Sequence, residues 1–200
     1  PELLRAPRFW GYALASAFAS GAFFSYLGGA PFVGSEVFGL DPATLGIYFG
    51  APAIGYFLGN WASGRFSARY GVNRMVLVGA ITVMTGLILA LLVFALGFKT
   101  PLSFFGFMTF VGLGNGMTIP NATAGMLSVR PHLAGTASGL GGAIMIGGGA
   151  GLSAFAGVIL QPGTGAWPLL WLMLSTSVAA VAAIGFVIWR EAQLRGLDTA

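Results

Sequence analysis

No Asp, Glu, Lys or Arg falls between Arg8 and Glu36, Asp41 and Arg65, Arg74 and Lys99, Lys99 and Arg130, or Arg130 and Arg190. Each of the first four gaps is about the length of one membrane-crossing helix, roughly 20 residues or a little more. The last is long enough for two. The nine basic and five acidic residues of the chain all sit in short punctuation between apolar runs. A bilayer demands this pattern, because a charge at its centre costs at least about 2.5 kcal/mol. The charge map predicts an all-α, polytopic membrane protein, a bundle of six transmembrane helices.

Composition excludes the soluble classes. Charged residues make up 7% of the chain, against roughly 25% in globular domains. The net charge of +4 invites a nucleic-acid reading. The basic residues, however, are scattered over several short loops and form no stripe. With no Cys and one His, disulfides are absent and a zinc site has almost no ligands to draw on. Arg5 and Arg8 precede an apolar stretch, as in a signal peptide. That stretch continues to about Gly34, far beyond a signal core of roughly 7–15 residues, so it reads as a retained helix. The chain opens on Pro1 without an initiator Met, which raises the expectation of a fragment or a processed product.

The spans are expected at about 9–29, 43–63, 75–96, 102–127, 134–160 and 167–189, together one domain over residues 1–200. A break is expected at Gly28-Gly29-Ala30-Pro31. Asp41-Pro42 reads as a helix start, with Asp41 as cap and Pro42 in the first turn. Residues 64–74 read as the most basic loop, and 190–200 as a polar tail. Six spans put Arg5, Arg8, Arg65, Arg69, Arg74, Arg130, Arg190 and Arg195 on one side and Lys99 alone on the other. That asymmetry predicts cytoplasmic termini. Trp10, Trp61, Trp167 and Trp189 fall near span ends, where indoles prefer the interface.

The third and sixth spans are mostly Leu, Val, Ile and Ala, and suit a lipid-facing position. The second, fourth and fifth are dense in glycine. Gly55 with Gly59, Gly112 with Gly116, and Gly147 with Gly151 have the spacing that lets helix backbones approach closely. The first, second, fourth and fifth spans are therefore expected inside. A period of three spans hints at a three-plus-three repeat.

Three stretches carry a family resemblance: Gly29-Ala30-Pro31-Phe32-Val33 with Val37-Phe38-Gly39-Leu40; the basic segment 64–74; and Pro120-Asn121-Ala122-Thr123-Ala124 with His132-Leu133-Ala134-Gly135-Thr136-Ala137-Ser138-Gly139. On these the chain resembles the major facilitator superfamily. Within it, the likeness is to the C-terminal six-helix half of bicyclomycin/chloramphenicol-resistance (Bcr/CflA-like) drug:proton antiporters. The basic segment is similar to the family signature Gly-x-x-x-Asp-Arg-x-Gly-Arg. Gly64, Arg69 and Gly71 match, while Ala68 stands at the Asp position and Val72 at the final Arg position. Gly64, Arg65, Arg69, Gly71 and Arg74 are thus either a helix-latching motif or topology signals alone.

Candidate cavity residues follow from helical spacing. Phe49, Ala53, Tyr56 and Asn60 share one face of the second span. They either line a cavity or pack helices. The first span offers Phe23 and Tyr26, with Ser16 a weaker candidate and Phe24 turned toward lipid. In the fourth span Asn115 and Thr118 are cavity candidates, whereas Asn121 reads as an interhelical bond near Pro120. Gly147, Gly148, Gly149 and Gly151 either pack statically or, as the resemblance implies, meet the other half of a transporter and move. His132 reads as a turn residue.

These readings converge on a transporter and not an enzyme, since no clustered acid, His or Ser/Lys constellation is visible. The resemblance implies one half of a twelve-helix antiporter in a bacterial cytoplasmic (inner) membrane. Its partners would be lipid, an N-terminal six-helix half, and a small lipophilic substrate; nucleic acid is not among them. It implies no cofactor, with a proton gradient as energy source. No carboxylate lies inside an expected span, so the proton-carrying acid is expected in the other half. The alternatives are a six-span protein acting as a homodimer, a second copy then replacing the other half, and a non-transporting membrane subunit.

Overall fold

The computed structural model describes residues 2–197, with side chains through residue 194. Seven α-helices account for most of them: α1 (Pro7–Phe32), α2 (Pro42–Phe49), α3 (Ala51–Tyr70), α4 (Val72–Ala95), α5 (Pro101–Ser128), α6 (Ala134–Ile159) and α7 (Trp167–Leu197). Five segments are long and apolar enough to cross a membrane: Pro7–Val37, Val72–Ala95, Pro101–Ser128, Pro131–Ile159 and Trp167–Leu194. The second expected span departs from this pattern. It is split at Gly50 into α2 and α3. The longer piece, α3, carries Asn60, Arg65 and Arg69 and is less apolar.

The helix ends show where local chemistry decides. Asp41 caps α2 as expected, its Oδ1 accepting from the Ala43 and Thr44 N–H groups at 3.0 and 3.1 Å. Thr100 and Ser103 form a capping box at the start of α5. The expected break at Gly28–Pro31 does not occur. Both glycines press against neighbouring helices, with Gly28 against the Ser153 backbone and Gly29 against Leu160 and Leu169. Pro31 sits in the last turn, where its missing N–H leaves the Leu27 carbonyl without its usual helical donor, and the helix leaves through one wide turn, Val33–Val37.

The expected basic loop is also mostly helix. α3 runs on to Tyr70, and only Gly71 turns the chain, at φ 84°, a conformation that glycine adopts without strain. The expected polar tail is helix as far as Leu197. It is held at Glu191, whose carboxylate pairs with Arg8 of α1 and accepts from Asn73 Nδ2 of α4 at 2.6 Å. Tyr12 completes the cluster, donating to Asn73 Oδ1 at 2.5 Å. Residues 198–200 of that tail lie outside the described residues.

The packing has an internal exchange symmetry. α1 packs against α5, α6 and α7; α5 packs against α1, α3 and α4; and α4 packs against α7. Swapping α1 with α5, α3 with α6, and α4 with α7 reproduces this pattern. The chain is therefore two three-helix units, each lending its first helix to the other. α1 and α5 cross at the centre and are the most buried helices.

The glycine pairs explain the tight crossings. A Cβ at Gly112 would overlap the Pro52 carbonyl, and one at Gly55 would overlap the Thr109 carbonyl. Gly59 and Gly116 likewise meet backbone across the α3–α5 seam. For α6 the expectation of an inner position is corrected. Gly147, Gly148 and Gly151 face open space in this bundle, and α6 buries few residues. Glycine spacing shows that a close approach is possible, not which partner makes it. α4 and α7 each bury one face (Val83 and Leu87; Met173 and Ile184) and expose the other (Ile81 and Leu92; Val178 and Phe186).

Candidate functional site

Proline and glycine shape the site first. Pro52 has no N–H, so a continuous helix through Gly50 would leave a carbonyl unpaired. The chain instead tightens: the Ala53 N–H bonds to Gly50 O at 3.0 Å, one residue short of the α register. The Phe49 carbonyl thereby loses its ordinary helical partner. The Tyr26 hydroxyl of α1 supplies a bond to it at 3.0 Å. The Tyr26 ring also stacks on Phe49 at 5.0 Å between centroids and on Phe23 at 6.3 Å. A column of three rings therefore fixes the break in α2–α3 against α1.

Beside this column lies a cavity of about 540 Å³. α1 contributes Ser20, Phe23, Phe24 and Leu27. The broken segment contributes Phe49, Gly50, Pro52, Ala53 and Tyr56, α5 contributes Gly112, Asn115 and Ile119, and α6 contributes Met145. None of these carries a formal charge at neutral pH. The Ser20 hydroxyl donates to its own helix at Ala17 O, 3.0 Å away. Asn115 is 2% exposed, and its Oδ1 is buried without a hydrogen-bond partner. The arrangement can hold a flat, largely apolar molecule by ring contact and one polar contact.

Of the cavity candidates read from the sequence, Phe23, Phe49, Ala53, Tyr56 and Asn115 lie together on this cavity. Tyr26, Asn60 and Thr118 do not. Tyr26 is fully buried behind the wall, as the support for Phe49. Asn60 turns back on its own helix, Nδ2 donating to Tyr56 O at 2.8 Å. Thr118 faces the α4–α5 seam, where its hydroxyl points to Val76 O at 3.4 Å. The lipid-facing expectation for Phe24 is also corrected, since its ring lines the cavity and packs over Gly149 of α6. Ser16 lies near Met145, Oγ to Sδ 3.6 Å. Met145 and Ile119 carried no sequence signal. Gly50 and Pro52 did, as a Gly-x-Pro interruption within a helical pattern.

The basic segment is divided by the structure. Gly64, Arg65 and Arg69 lie on α3, with the Arg69 guanidinium 5.4 Å from the Tyr70 ring centre. Gly71 makes the turn, and Arg74 lies on α4. Arg74 borders a second cavity, of about 690 Å³, with Tyr12, Asn73 and Glu191.

A family model described as Major Facilitator Superfamily matches residues 1–154. An uncharacterized MFS-type transporter, YdgK of Bacillus subtilis, is 29% identical over 142 residues, covering 70% of this chain and 34% of that protein. A bicyclomycin resistance protein homolog of Haemophilus influenzae is 28% identical over 188 residues, covering 93% of this chain and 46% of that protein. The chain thus spans between about a third and a half of the length of these relatives. With a family match over most of its length, an all-helical fold of membrane-spanning length and the three-plus-three exchange of helices, this chain belongs to the major facilitator superfamily.

Proposed function

We propose that this chain forms one six-span wall of a multidrug efflux antiporter that exports small amphiphilic compounds by alternating access. The observation that carries the reading is the uncharged, aromatic cavity with an unpartnered amide among α1, α3 and α5. The name of the Haemophilus influenzae relative, a bicyclomycin resistance protein homolog, supports drug export and antibiotic resistance as the function. In this reading the domain sits in a bacterial inner membrane with both termini cytoplasmic, as the Lys and Arg asymmetry favours.

The second wall is an N-terminal six-helix half, and the uncovered glycine face of α6 (Gly147, Gly148, Gly151) slides against it during alternating access. The same face would serve a second copy in a homodimer. Gly64, Arg65, Arg69, Gly71 and Arg74 act as a cytoplasmic latch between helix ends. No carboxylate is among the residues that line the aromatic cavity. The reading therefore assigns the proton-carrying group to the opposite wall, with the proton gradient as energy source and no bound cofactor.

The test is the triple variant Phe49→Ala, Tyr56→Ala and Asn115→Leu in the full-length protein. Loss of drug resistance in cells, with membrane insertion and yield unchanged, is the expected result. Undiminished resistance would sink the reading.

A further inference from the structure

We propose that the arginine-bearing ends of α1, α5 and α7 form a binding site for a phosphate group, carried by an anionic phospholipid headgroup or free in solution. The site shares no lining residue with the aromatic cavity. The inference therefore does not depend on what that cavity binds.

Local structure gathers the charges. Residues 2–5 form a turn ahead of α1, closed by the Ala6 N–H on Leu3 O at 3.1 Å. Trp10 Nε1 donates to Leu4 O at 2.8 Å, and Leu3 is buried in one cluster with Phe9, Val129 and Val187. This apolar floor sets Arg5 and Arg8 beside Arg130, which lies just past the end of α5 at Ser128. α7 runs unbroken from Trp167 to Leu197 and brings Arg190 to the same place. A cavity of about 260 Å³ results, and Arg5, Arg8, Arg130 and Arg190 all line it. No acidic side chain is among the described residues that line it.

Ion pairing leaves positive charge over. Arg8 pairs with Glu191, and Arg130 with Glu2. Among the described residues, no carboxylate pairs with Arg5 or Arg190. Arg190 donates to the neutral Gln193 amide, Nη1 to Oε1 at 2.9 Å. Four positive charges thus meet two negative ones around one cavity. Like charges held together repel, and a bound anion relieves them. A phosphate group carries about two negative charges, and its oxygens fit the guanidinium fork. The side chains can be reached from outside: Arg8 is 34% and Arg130 44% exposed, and Arg5 is exposed. The cavity is smaller than the roughly 300–1,000 Å³ of a pocket for drug-sized molecules. Trp10 and Trp189 stand close in sequence to Arg8 and Arg190. Indoles prefer the membrane–water interface, so the cavity stands at the depth of lipid phosphates, where basic pockets between helices hold headgroups.

The experiment uses the full-length protein in detergent. Native mass spectrometry measures binding of cardiolipin, whose headgroup carries two phosphates, and of phosphatidylcholine, whose phosphate is balanced by a fixed cation. Calorimetry measures binding of inorganic phosphate. Arg5→Gln with Arg190→Gln removes the two arginines that pair with no described carboxylate and leaves the ion pairs of Arg8 and Arg130 in place. This variant should lose about tenfold in affinity for the phosphate ligand that the wild type binds. Arg190→Gln alone should lose about threefold, which keeps the test decisive if the pair fails to insert. Arg5→Lys with Arg190→Lys keeps the charge and the topology signal, and should stay within about threefold of the wild type. Arg65→Gln with Arg69→Gln removes as much charge from α3, and should stay within about twofold because exposed charges farther off are screened. Cardiolipin preferred over phosphatidylcholine, with that preference lost in the glutamine pair, identifies a lipid headgroup as the ligand. Inorganic phosphate binding that falls in the same variant, without a lipid preference, identifies free phosphate. Affinity unchanged in the glutamine variants overturns the site. So does an equal loss in the α3 variant, which would mean general charge attraction, or no measurable binding of either ligand.

Discussion

Two asparagines of α5 differ in their hydrogen bonding. Asn121 ties α5 to α3 through Ser63 and satisfies the Met117 carbonyl of its own helix. Asn115 Oδ1 bonds nothing. Side-chain hydrogen bonds between membrane helices contribute on average about 0.6 kcal/mol, with a maximum near 1.7. Asn121→Leu is expected to destabilise the bundle by about 1 kcal/mol. Asn115→Leu removes an uncompensated polar atom and is expected to be neutral or mildly stabilising. Detergent-denaturant unfolding of the two variants beside the parent checks the contrast, and equal losses would refute it. Asp41 offers a pH test at the same scale. Hydrogen bonds from Thr44, then Ala43, hold its carboxyl below the usual carboxylate range. A lowered folded value makes the cap's contribution complete above the unfolded value, about 3.9. It is lost as the pH falls through the lower folded value. Amide protection at Ala43 and Thr44, taken relative to the intrinsic exchange rate at each pH, should fall in that acid window, and Asp41→Ala should remove the pH dependence of the protection.

Among the helices, the consequential difference between seams lies in what their glycines touch. At the α3–α5 crossing, Gly55 and Gly112 meet carbonyl oxygens, and backbone cannot move aside for a methyl group. On α6, Gly148 meets nothing. Gly112→Ala should therefore destabilise this bundle by about 1–3 kcal/mol, the range for overpacked cores. Gly148→Ala should not, and the slightly better helix propensity of alanine favours it. Thermal unfolding in detergent distinguishes the two. The same comparison shows how far the sequence could be read. The spacing of Gly55, Gly59, Gly112 and Gly116 announced close approach, and the structure supplies the seam. The spacing of Gly147 and Gly151 announced the same, and this bundle supplies no partner. Phe49 and Tyr56 were legible as one face by helical period and Asn115 as an amide in an apolar span, but only the structure brings them to one cavity. Tyr26 was misread as cavity lining because its role depends on the Phe49 carbonyl, which is stranded only by the break at Gly50. Periodicity cannot report a hydrogen bond between helices. Nor could it reveal that Glu191 belongs to a cluster with Arg8, Tyr12 and Asn73, residues far apart in the chain.

For the molecule as a whole, the exchange of first helices between the two three-helix units leaves three kinds of uncovered face. Those of α4 and α7 are built from large aliphatic and aromatic side chains, among them Ile81, Leu92, Val178 and Phe186. Such faces match lipid tails, which offer no hydrophobic gain from helix contact. The uncovered face of α3 is also bulky, with Ile54, Phe57 and Trp61 exposed. The face of α6 is mixed: Ile146, Phe155 and Val158 are exposed on it, and among them lies a glycine patch where a Cβ at Gly147, Gly148 or Gly151 would meet nothing within 4 Å. Such a patch gives lipid little side-chain surface to contact and leaves helix backbone thinly covered. Its compensation is close contact with another helix, which the proposed second wall would provide. This chain contains no Cys, so it adds no background of its own to a single label. In the full-length protein in lipid, a spin label at Gly148→Cys should be shielded from oxygen, the lipid-soluble relaxant. A label at Leu92→Cys should be strongly relaxed by it. The α6 label should also change its accessibility when substrate is added, because a sliding interface opens and closes while a lipid face does not. Oxygen accessibility at Gly148→Cys equal to that at Leu92→Cys, unaltered by substrate, would mean that α6 faces the bilayer and that the second wall lies against another surface.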